Sequence, residues 1–522
     1  MTPPGTRVFS LATRTIAAEL EKNKSQIQVD VLDIERGTSV EKAAQNILER
    51  QPEVVGFSTY IWNYTKHFRI ADELRRRDKN IYIIFGGPQM FYDQEDLRGL
   101  WSKHPAIDLI VQGEGEIVLS ELLRTSRHAW PASGTVLQGK AISRLGSFAY
   151  PLYERFASPF LPSYLDIEIS RGCPRRCAYC CIPRYGHRPR TRPLKHLERE
   201  LRWGIAQKIP SFSYISAGIS YRKQYLKSLL KIIHRCDPEK TFFHQGEIDY
   251  QKLGEEEIEL LRGLNFAIGL GLQSTSLSSN RLMRRVFDKK RFEEGTKKLM
   301  ALGLQPVVEI ILGLPDDRRE DFSRTLRYAL ELELPLVVFL FMVLPGTEFY
   351  LRRRELGISY HPDRAHRVLA TNTMSPADIE SCLDQVRACA GRPQKDGVWI
   401  MLISDRGAEY IVPKKKTAPK MESPAALDRS FVDYVRSHLP PDWRRFPLRE
   451  ESGYLVLELA ACGERLRVGF SPAGCKPTCF VSDGVADISY LVEFNHPDPL
   501  VNPMVGQLFH QLLEAFGLEK SV

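Results

Sequence analysis

The sequence contains no apolar run of the ~18 residues that a membrane span requires. Its longest candidate, residues 336–344, lies between Glu333 and Pro345, so a membrane protein is not expected. The opening MTPPGTRVFSLATR lacks the basic-then-apolar order of a secretory signal, and a cytoplasmic location is expected. No cysteine precedes Cys173, although ten occur in 522 residues. Cysteines that few and that late do not make a secreted disulfide scaffold. They suit an intracellular chain that uses some of them as ligands. One-sided charge is also missing: 73 basic against 64 acidic residues leave +9, too mild an excess for coating nucleic acid. There is no low-complexity tract and no repeat beyond a strand–helix alternation. With 43% apolar and 26% charged residues, the composition is that of a globular protein of about three domains.

Strand and helix patterns alternate through the first 126 residues. Strands are expected at 28–33, 54–59, 81–85 and 107–111, and helices at 10–22, 40–49 and 64–77. This alternation implies a doubly wound parallel sheet, with ligands at the carboxyl ends of its strands, where Gly86-Gly87-Pro88 and Gly113-Glu114-Gly115 fall. Only nine residues precede the helix at 10–22, so the usual opening strand is lost or very short. Residues 127–163, rich in proline, read as a linker. A second run, 164–357, offers strands at 164–170, 212–216, 241–245, 267–272, 306–312 and 336–344, which suit a partial (β/α)6 barrel. Residues 358–522 read as an α+β substrate or lid domain, with a helix at 361–390, a basic proline-rich stretch at 392–423 and short strands from 453 to 495. The fold class is therefore α/β with a C-terminal α+β unit.

The sharpest chemical signal is Cys173-x-x-x-Cys177-x-x-Cys180, directly after the first barrel strand. Thiolates suit iron–sulfur clusters or zinc. Three ligands without an evident fourth leave a metal position open, as chemistry requires. The same loop is crowded with Arg171, Arg175, Arg176, Arg184, Arg188, Arg190 and Arg192, with Tyr185 and His187 interleaved. These fit a carboxylate or phosphate of substrate or cofactor, an RNA backbone, or plain solvation. His244 and Glu247 are expected at the barrel mouth, where a lone histidine is more often structural. Cys236, Cys382 and Cys389 sit in helical patterns and suit packing. Cys475 and Cys479, with Cys462 nearby, have a spacing that an auxiliary cluster could use but that is not diagnostic, and they are read as hairpin cysteines.

The CxxxC-aromatic-xC pattern, with Tyr179 at the aromatic position, resembles the radical S-adenosylmethionine (SAM) superfamily. The resemblance implies a 4Fe–4S cluster on Cys173, Cys177 and Cys180, with SAM chelating the fourth iron. It implies SAM contacts at Tyr179, at Gly218 ending the second strand, at Gln273 and Ser274 in GLGLQS, and at Gly313 in EIILGLP. The acidic residue usual beside Gly218 is absent, and Cys181 has no slot in the triad. The N-terminal unit resembles the cobalamin-binding domain that precedes the radical domain in one class of these enzymes. Its matching segments carry Ser58, Thr59 and Trp62; Gly86, Gly87 and Pro88; and Gln112, Gly113, Glu114 and Gly115. No DxHxxG is present, so no histidine is expected to coordinate cobalt from below. Taken together, the resemblance implies methylation of an unactivated carbon in a small-molecule or peptide substrate, with a reductant supplying single electrons. Other readings are a rearrangement, a cyclisation or an RNA modification at the same radical site, or a non-catalytic redox sensor. Methylthio-type RNA modifiers carry extra N-terminal cysteines, which this chain lacks, so nucleic acid is not the expected partner. Oligomeric state is not legible.

Overall fold

The computed structural model describes residues 9–411, apart from 23–26, 35–36, 150, 152, 157–160, 187, 250–252, 390–397 and 406, and then the backbone of strands between 448 and 493. The chain divides into two compact units, residues 1–413 and 414–522. Among the described residues no helix is long and apolar enough to cross a membrane.

Helix α1 (Leu11–Glu21) starts at Ser10, whose hydroxyl accepts from the Thr13 N–H. The strand expected at 28–33 has no ladder partner. Its alternation has another cause: Val29 and Val31 pack on Ala17 and Ala18 of α1 and on Phe156. Then α2 (Val40–Leu48), β1 (Val54–Ser58), α3 (Tyr64–Arg77), β2 (Tyr82–Gly86), α4 (Gln94–Lys103), β3 (Leu109–Gln112), α5 (Gly115–Leu123) and β4 (Thr135–Gln138) follow. The four strands form a parallel sheet in the order β1-β2-β3-β4. Buried Ile83, Phe85 and Ile110 face Ala44, Phe68 and Leu74 of the covering helices. β4 falls inside the expected linker. It is a four-residue edge strand that is mostly half-exposed, so it carries no alternation for sequence reasoning to find.

The second sheet begins with β5 (Leu165–Glu168). A two-residue ribbon, β6 (Ser170–Arg171) with β7 (Arg190–Thr191), closes the base of the cysteine loop. Next come α6 (Leu194–Ala206), β8 (Ser211–Ile215), α7 (Lys223–Cys236), β9 (Phe243–Glu247), α8 (Glu255–Leu261), β10 (Phe266–Gln273), α9 (Leu277–Leu282), α10 (Lys289–Ala301), β11 (Gln305–Leu312), α11 (Arg319–Glu331), β12 (Leu336–Leu340) and α12 (Glu348–Leu351). The six expected strands are present and parallel, curled into a half-barrel. Where a helix over 361–390 was expected, a hairpin of β13 (Ser359–His361) and β14 (Arg367–Ala370) precedes a shorter α13 (Pro376–Ala388). The sheet also continues past residue 357: β15 (Ile400–Ser404) pairs parallel with β12, and β16 (Gly407–Ile411) pairs antiparallel with β15. Ile400 and Leu402 join the barrel core, which explains why apolar residues interrupt that basic stretch.

In the second unit, β17 (Leu448–Glu451), β18 (Tyr454–Ala461), β19 (Glu464–Phe470), β20 (Thr478–Ser482) and β21 (Val492–Glu493) form an antiparallel meander, as the short-strand pattern suggests. Cys462, Cys475 and the side chain of Cys479 lie outside the described residues.

Candidate functional site

The cysteine loop is held by its own backbone. The Cys173 N–H donates to Gly186 O (2.9 Å), Ala178 N–H to Met283 O (3.1 Å), and Phe349 N–H to Ala178 O (3.0 Å). Gly172 has φ +87°, and a Cβ there would lie 2.6 Å from Gly186 O, so only glycine lets the loop close. Cys173 and Cys177 are buried, Cys180 is half-buried, and all three are free thiols. Burial pushes the thiols of Cys173 and Cys180 up, the latter to about 12, so iron must displace protons to bind. Among the described residues no group of three His, Cys, Asp or Glu side chains converges to hold a single metal ion. A cubane cluster takes one thiolate on each of three irons and needs no such convergence. Arg285, which the sequence does not flag, donates to Cys177 Sγ at 3.6 Å, to the Tyr179 hydroxyl at 3.3 Å and to Gly271 O at 2.7 Å. This donor set, three thiols backed by a guanidinium, fits an anionic iron–sulfur cluster.

Tyr179 thus sits beside the triad. The half-barrel interior next to it is lined by alternate residues whose neighbours face the helices. Gly269 registers with Glu247, and Gly271 with Glu309. A Cβ on Gly269 would lie 2.6 Å from Glu247 Oε1, and one on Gly271 2.5 Å from Gln273 Nε2. The two glycines therefore leave room for polar side chains in the lumen. Glu247 and Glu309 are hydrogen-bonded partners, and burial followed by their mutual charge pushes Glu309 well up. Gln273 sits at a strand irregularity with φ +68°, and its Oε1 is buried without a partner. That orphan acceptor beside the lumen fits a bound polar ligand such as SAM. Ser274 is placed otherwise: wholly buried, its hydroxyl donates to Asp317 at 3.2 Å and accepts from Ser276 N–H at 3.0 Å. Gly218 (φ +145°) and Gly313 (φ +86°) are turn glycines, facing the Tyr221 ring and Val368. His244 is fully buried among Phe212, Tyr214 and Phe266 and near Asp237, so it belongs to the core and not to the barrel mouth.

On the N-terminal sheet, Ser58 registers with Gly86, and Gly86 with Val111, so the three expected segments lie side by side at one edge. Trp62 is 56% exposed and stacks on Tyr60 with ring centroids 4.6 Å apart, an open aromatic platform there. Glycine strand ends beneath an aromatic face fit a large flat cofactor held by backbone contacts. Several side chains at this edge are committed inward. Thr59 is buried, and its carbonyl accepts from Gln89 N–H at 3.1 Å, just before Pro88-led turn residues close over it. Gln112 donates to Met90 O (2.8 Å) and Tyr92 O (3.1 Å). Glu114 pairs with Arg190 at 2.5 Å and Arg171 at 3.4 Å. Gly115 follows as the first residue of α5. Gly87 and Gly113 have φ near +100°, and a Cβ on either would meet a neighbouring loop carbonyl within 2.6 Å.

The arginine crowd is largely spent on protein partners. Arg175 pairs with Asp249 (2.9 Å), Arg192 with Glu200 (2.7 Å), and Arg184 bonds Pro345 O and lies 4.7 Å over the Phe91 ring. Arg176 and Arg188 are exposed, and His187 lies outside the described residues. Further contacts bring the two sheets of the first unit together: His366 meets Gln89, Tyr350 meets Asp96, and Arg353 meets Asp93 (3.1 Å) and Asp96 (3.0 Å).

A family model of the B12 binding domain matches residues 2–123, and one of the radical SAM superfamily matches residues 167–329. TokK of Streptomyces tokunonensis, a cobalamin-dependent radical SAM methyltransferase, is 23% identical over 54% of this chain and 45% of its own length. The 2-(S-pantetheinyl)-carbapenam-3-carboxylate methyltransferase of Streptantibioticus cattleyicolor is 29% identical over 25% of this chain and 22% of its own. The chain thus spans less than half the length of either. In fold it resembles TsrM of Kitasatospora setae, a radical SAM methyltransferase solved with tryptophan substrate and a SAM analog (TM-score 0.54, 17% identity, 69% of this chain and 76% of that one). The chain joins a B12 binding domain to a domain of the radical SAM superfamily, the pairing whose cofactors are a 4Fe–4S cluster, SAM and cobalamin.

Proposed function

We propose that the chain is a cobalamin-dependent radical SAM methyltransferase that methylates an unactivated carbon of a small-molecule or peptide substrate. The observation that carries this reading is the pairing of Glu114, at the glycine-rich edge of the first sheet, with Arg171 and Arg190 at the base of the cysteine loop. That contact turns the glycine-rich edge and the cysteine loop toward each other within one compact unit. Residues 1–126 are assigned to cobalamin, 127–163 to the connection and its edge strand, and 164–357 to the cluster and SAM. The sheet strands at 400–411 extend this last part, and the remainder of 358–522 stands as a further α+β region.

Cys173, Cys177 and Cys180 hold the cluster, and Arg285 offsets its negative charge. Tyr179, Gly218, Gln273 and Gly313 are assigned to SAM, Gln273 through its unpartnered carbonyl oxygen. Burial raises both Glu247 and Glu309, and the hydrogen bond between them raises Glu309 further while lowering Glu247, so the pair offers the lumen a donor beside an acceptor. Ser58, Trp62, Gly86, Gly87, Pro88, Gly113 and Gly115 are assigned to cobalamin, mainly through backbone and the Trp62 face. When bound, the cluster and SAM supply a carbon-centred radical, and cobalamin supplies a methyl group. An external one-electron reductant is required. Free thiols and a reducible cluster suit the cytoplasm.

The test is anaerobic purification and reconstitution, followed by incubation with reductant, SAM carrying a labelled methyl group, and small molecules or peptides from neighbouring biosynthetic steps. The expected result is about four irons per chain, a corrinoid absorption band, release of 5′-deoxyadenosine and a labelled product. Zinc or no metal in place of iron overturns the reading. A cluster without corrinoid binding overturns the methyl-transfer part.

A further inference from the structure

Arg171 and Arg190 form a registered cross-strand pair in the short ribbon of β6 and β7. Two like charges directly opposite each other destabilise a ribbon. Here both converge on one carboxylate. Glu114 takes a forked pair from Arg190 (Nη1 to Oε2 3.1 Å, Nη2 to Oε1 2.5 Å), lies 3.4 Å from Arg171 Nη1, and accepts from the Ile142 N–H at 2.7 Å. Arg171 also reaches Glu116 and, at 2.8 Å, Glu168, and its guanidinium lies 5.0 Å over the Phe148 ring. Arg190 further donates to Tyr185 O and Ile142 O. The Glu114 side chain is 2% exposed, so the pairs are poorly screened and a lone partner would be a buried charge.

The positions on either side give this network its meaning. Arg171 is two residues before Cys173, and Arg190 and Tyr185 stand at the other end of the same loop. Glu114 follows Gly113, whose φ of +102° sets the turn at the end of β3, and it is the N-cap residue of α5. One carboxylate therefore fixes both feet of the cysteine loop to the third segment of the glycine-rich edge.

We propose that Glu114 is a positioning residue that couples the two cofactor sites, so that loading the cysteine loop with its cluster tightens the corrinoid edge and the reverse. This rests on the functional reading above. Coupling free energies are reciprocal and typically correspond to 5–150-fold in affinity. Glu114→Gln keeps the shape and removes the charge that separates the two arginines.

The experiment measures hydroxocobalamin affinity by absorbance titration for cluster-loaded and iron-free protein. The wild type is expected to bind at least about 5-fold more tightly when loaded. In Glu114→Gln the ratio is expected to fall close to one. Arg190→Lys, which keeps the charge and loses the fork, should fall between them and serves if the first variant does not fold. A second readout needs no corrinoid: iodoacetamide should alkylate the thiols of the iron-free loop faster in Glu114→Gln than in wild type, and no faster in Glu121→Gln, a control carboxylate exposed on α5. A wild-type ratio of one, or a ratio unchanged in both variants, overturns the coupling while leaving the functional reading intact. Absence of corrinoid binding in every form overturns the functional reading; the clamp then stands if alkylation accelerates and falls if it does not.

Discussion

The Arg285 guanidinium donates to the sulfur of Cys177 across 3.6 Å while its other amino group holds Gly271 O at 2.7 Å. One cation thus links the cysteine loop to the strand whose glycines open the lumen. Hydrogen bonds and net charge at cluster sulfurs set the reduction potential. A fixed positive charge favours the more negative, reduced state.

Arg285→Leu is therefore expected to keep its iron and lower the cluster midpoint potential by tens of millivolts. A redox titration followed by electron paramagnetic resonance reads this directly. An unchanged midpoint would show that the charge is screened.

The three cysteines and their neighbour should separate cleanly. Cys177→Ala is expected to fold and to lose the brown colour and nearly all its iron. Cys181→Ala is expected to keep about four irons per chain, because Cys181 lies outside the triad spacing. Iron analysis after identical reconstitution checks both, and equal losses would reassign the ligands.

Gly113→Ala places a Cβ 2.5 Å from Gly139 O at φ +102°. Left-handed backbone for a non-glycine residue costs about 1–3 kcal/mol, and the close carbonyl adds to that. Denaturant unfolding should show a lower midpoint. A wild-type midpoint would mean that the loop after β4 moves away freely.

His366 gives the pH dependence a direction. It is buried, its Nδ1 lies 3.0 Å from Val343 O and its Nε2 3.0 Å from Gln89, with Tyr64, Tyr350 and Tyr360 packed around the ring and the charges of Asp363 and Arg353 acting on it. Burial pushes its pKa from 6.5 down to about 4. Between those values the unfolded chain binds a proton that the folded chain refuses. Stability is thus full above the unfolded value and falls with pH down to about 4, by up to ~1.4 kcal/mol per pH unit. His67, half-buried and pushed down to about 4 by desolvation, acts in the same direction. Denaturant unfolding at several pH values should show the slope in this window, and His366→Gln should reduce it by about one proton. An unchanged slope would place the proton uptake elsewhere.

Much of the barrel was legible because its strands are buried on the helix side and bounded by turns. The errors have physical causes. The segment at 28–33 alternates for contact with a helix and has no sheet partner. β4 and β15 escaped because one is a half-exposed edge and the other is embedded in a basic stretch. His244 reads as a residue at the barrel mouth, more often structural than a ligand, and its aromatic neighbours show that it is structural but in the core rather than at the mouth. Arg285 stands within no recognisable spacing, and only folding brings it to Cys177.

The sequence alone determined the cysteine triad, the strand–helix alternation and the glycine turns, because each depends on spacing along a short stretch of chain. The tertiary structure decided which charges are paired, which polar side chains face the lumen and how the two sheets meet. Glu114, Arg171 and Arg190 are separated by tens of residues, and whether a carboxylate greets a ligand or clamps two arginines depends on burial and distance, which no local pattern records.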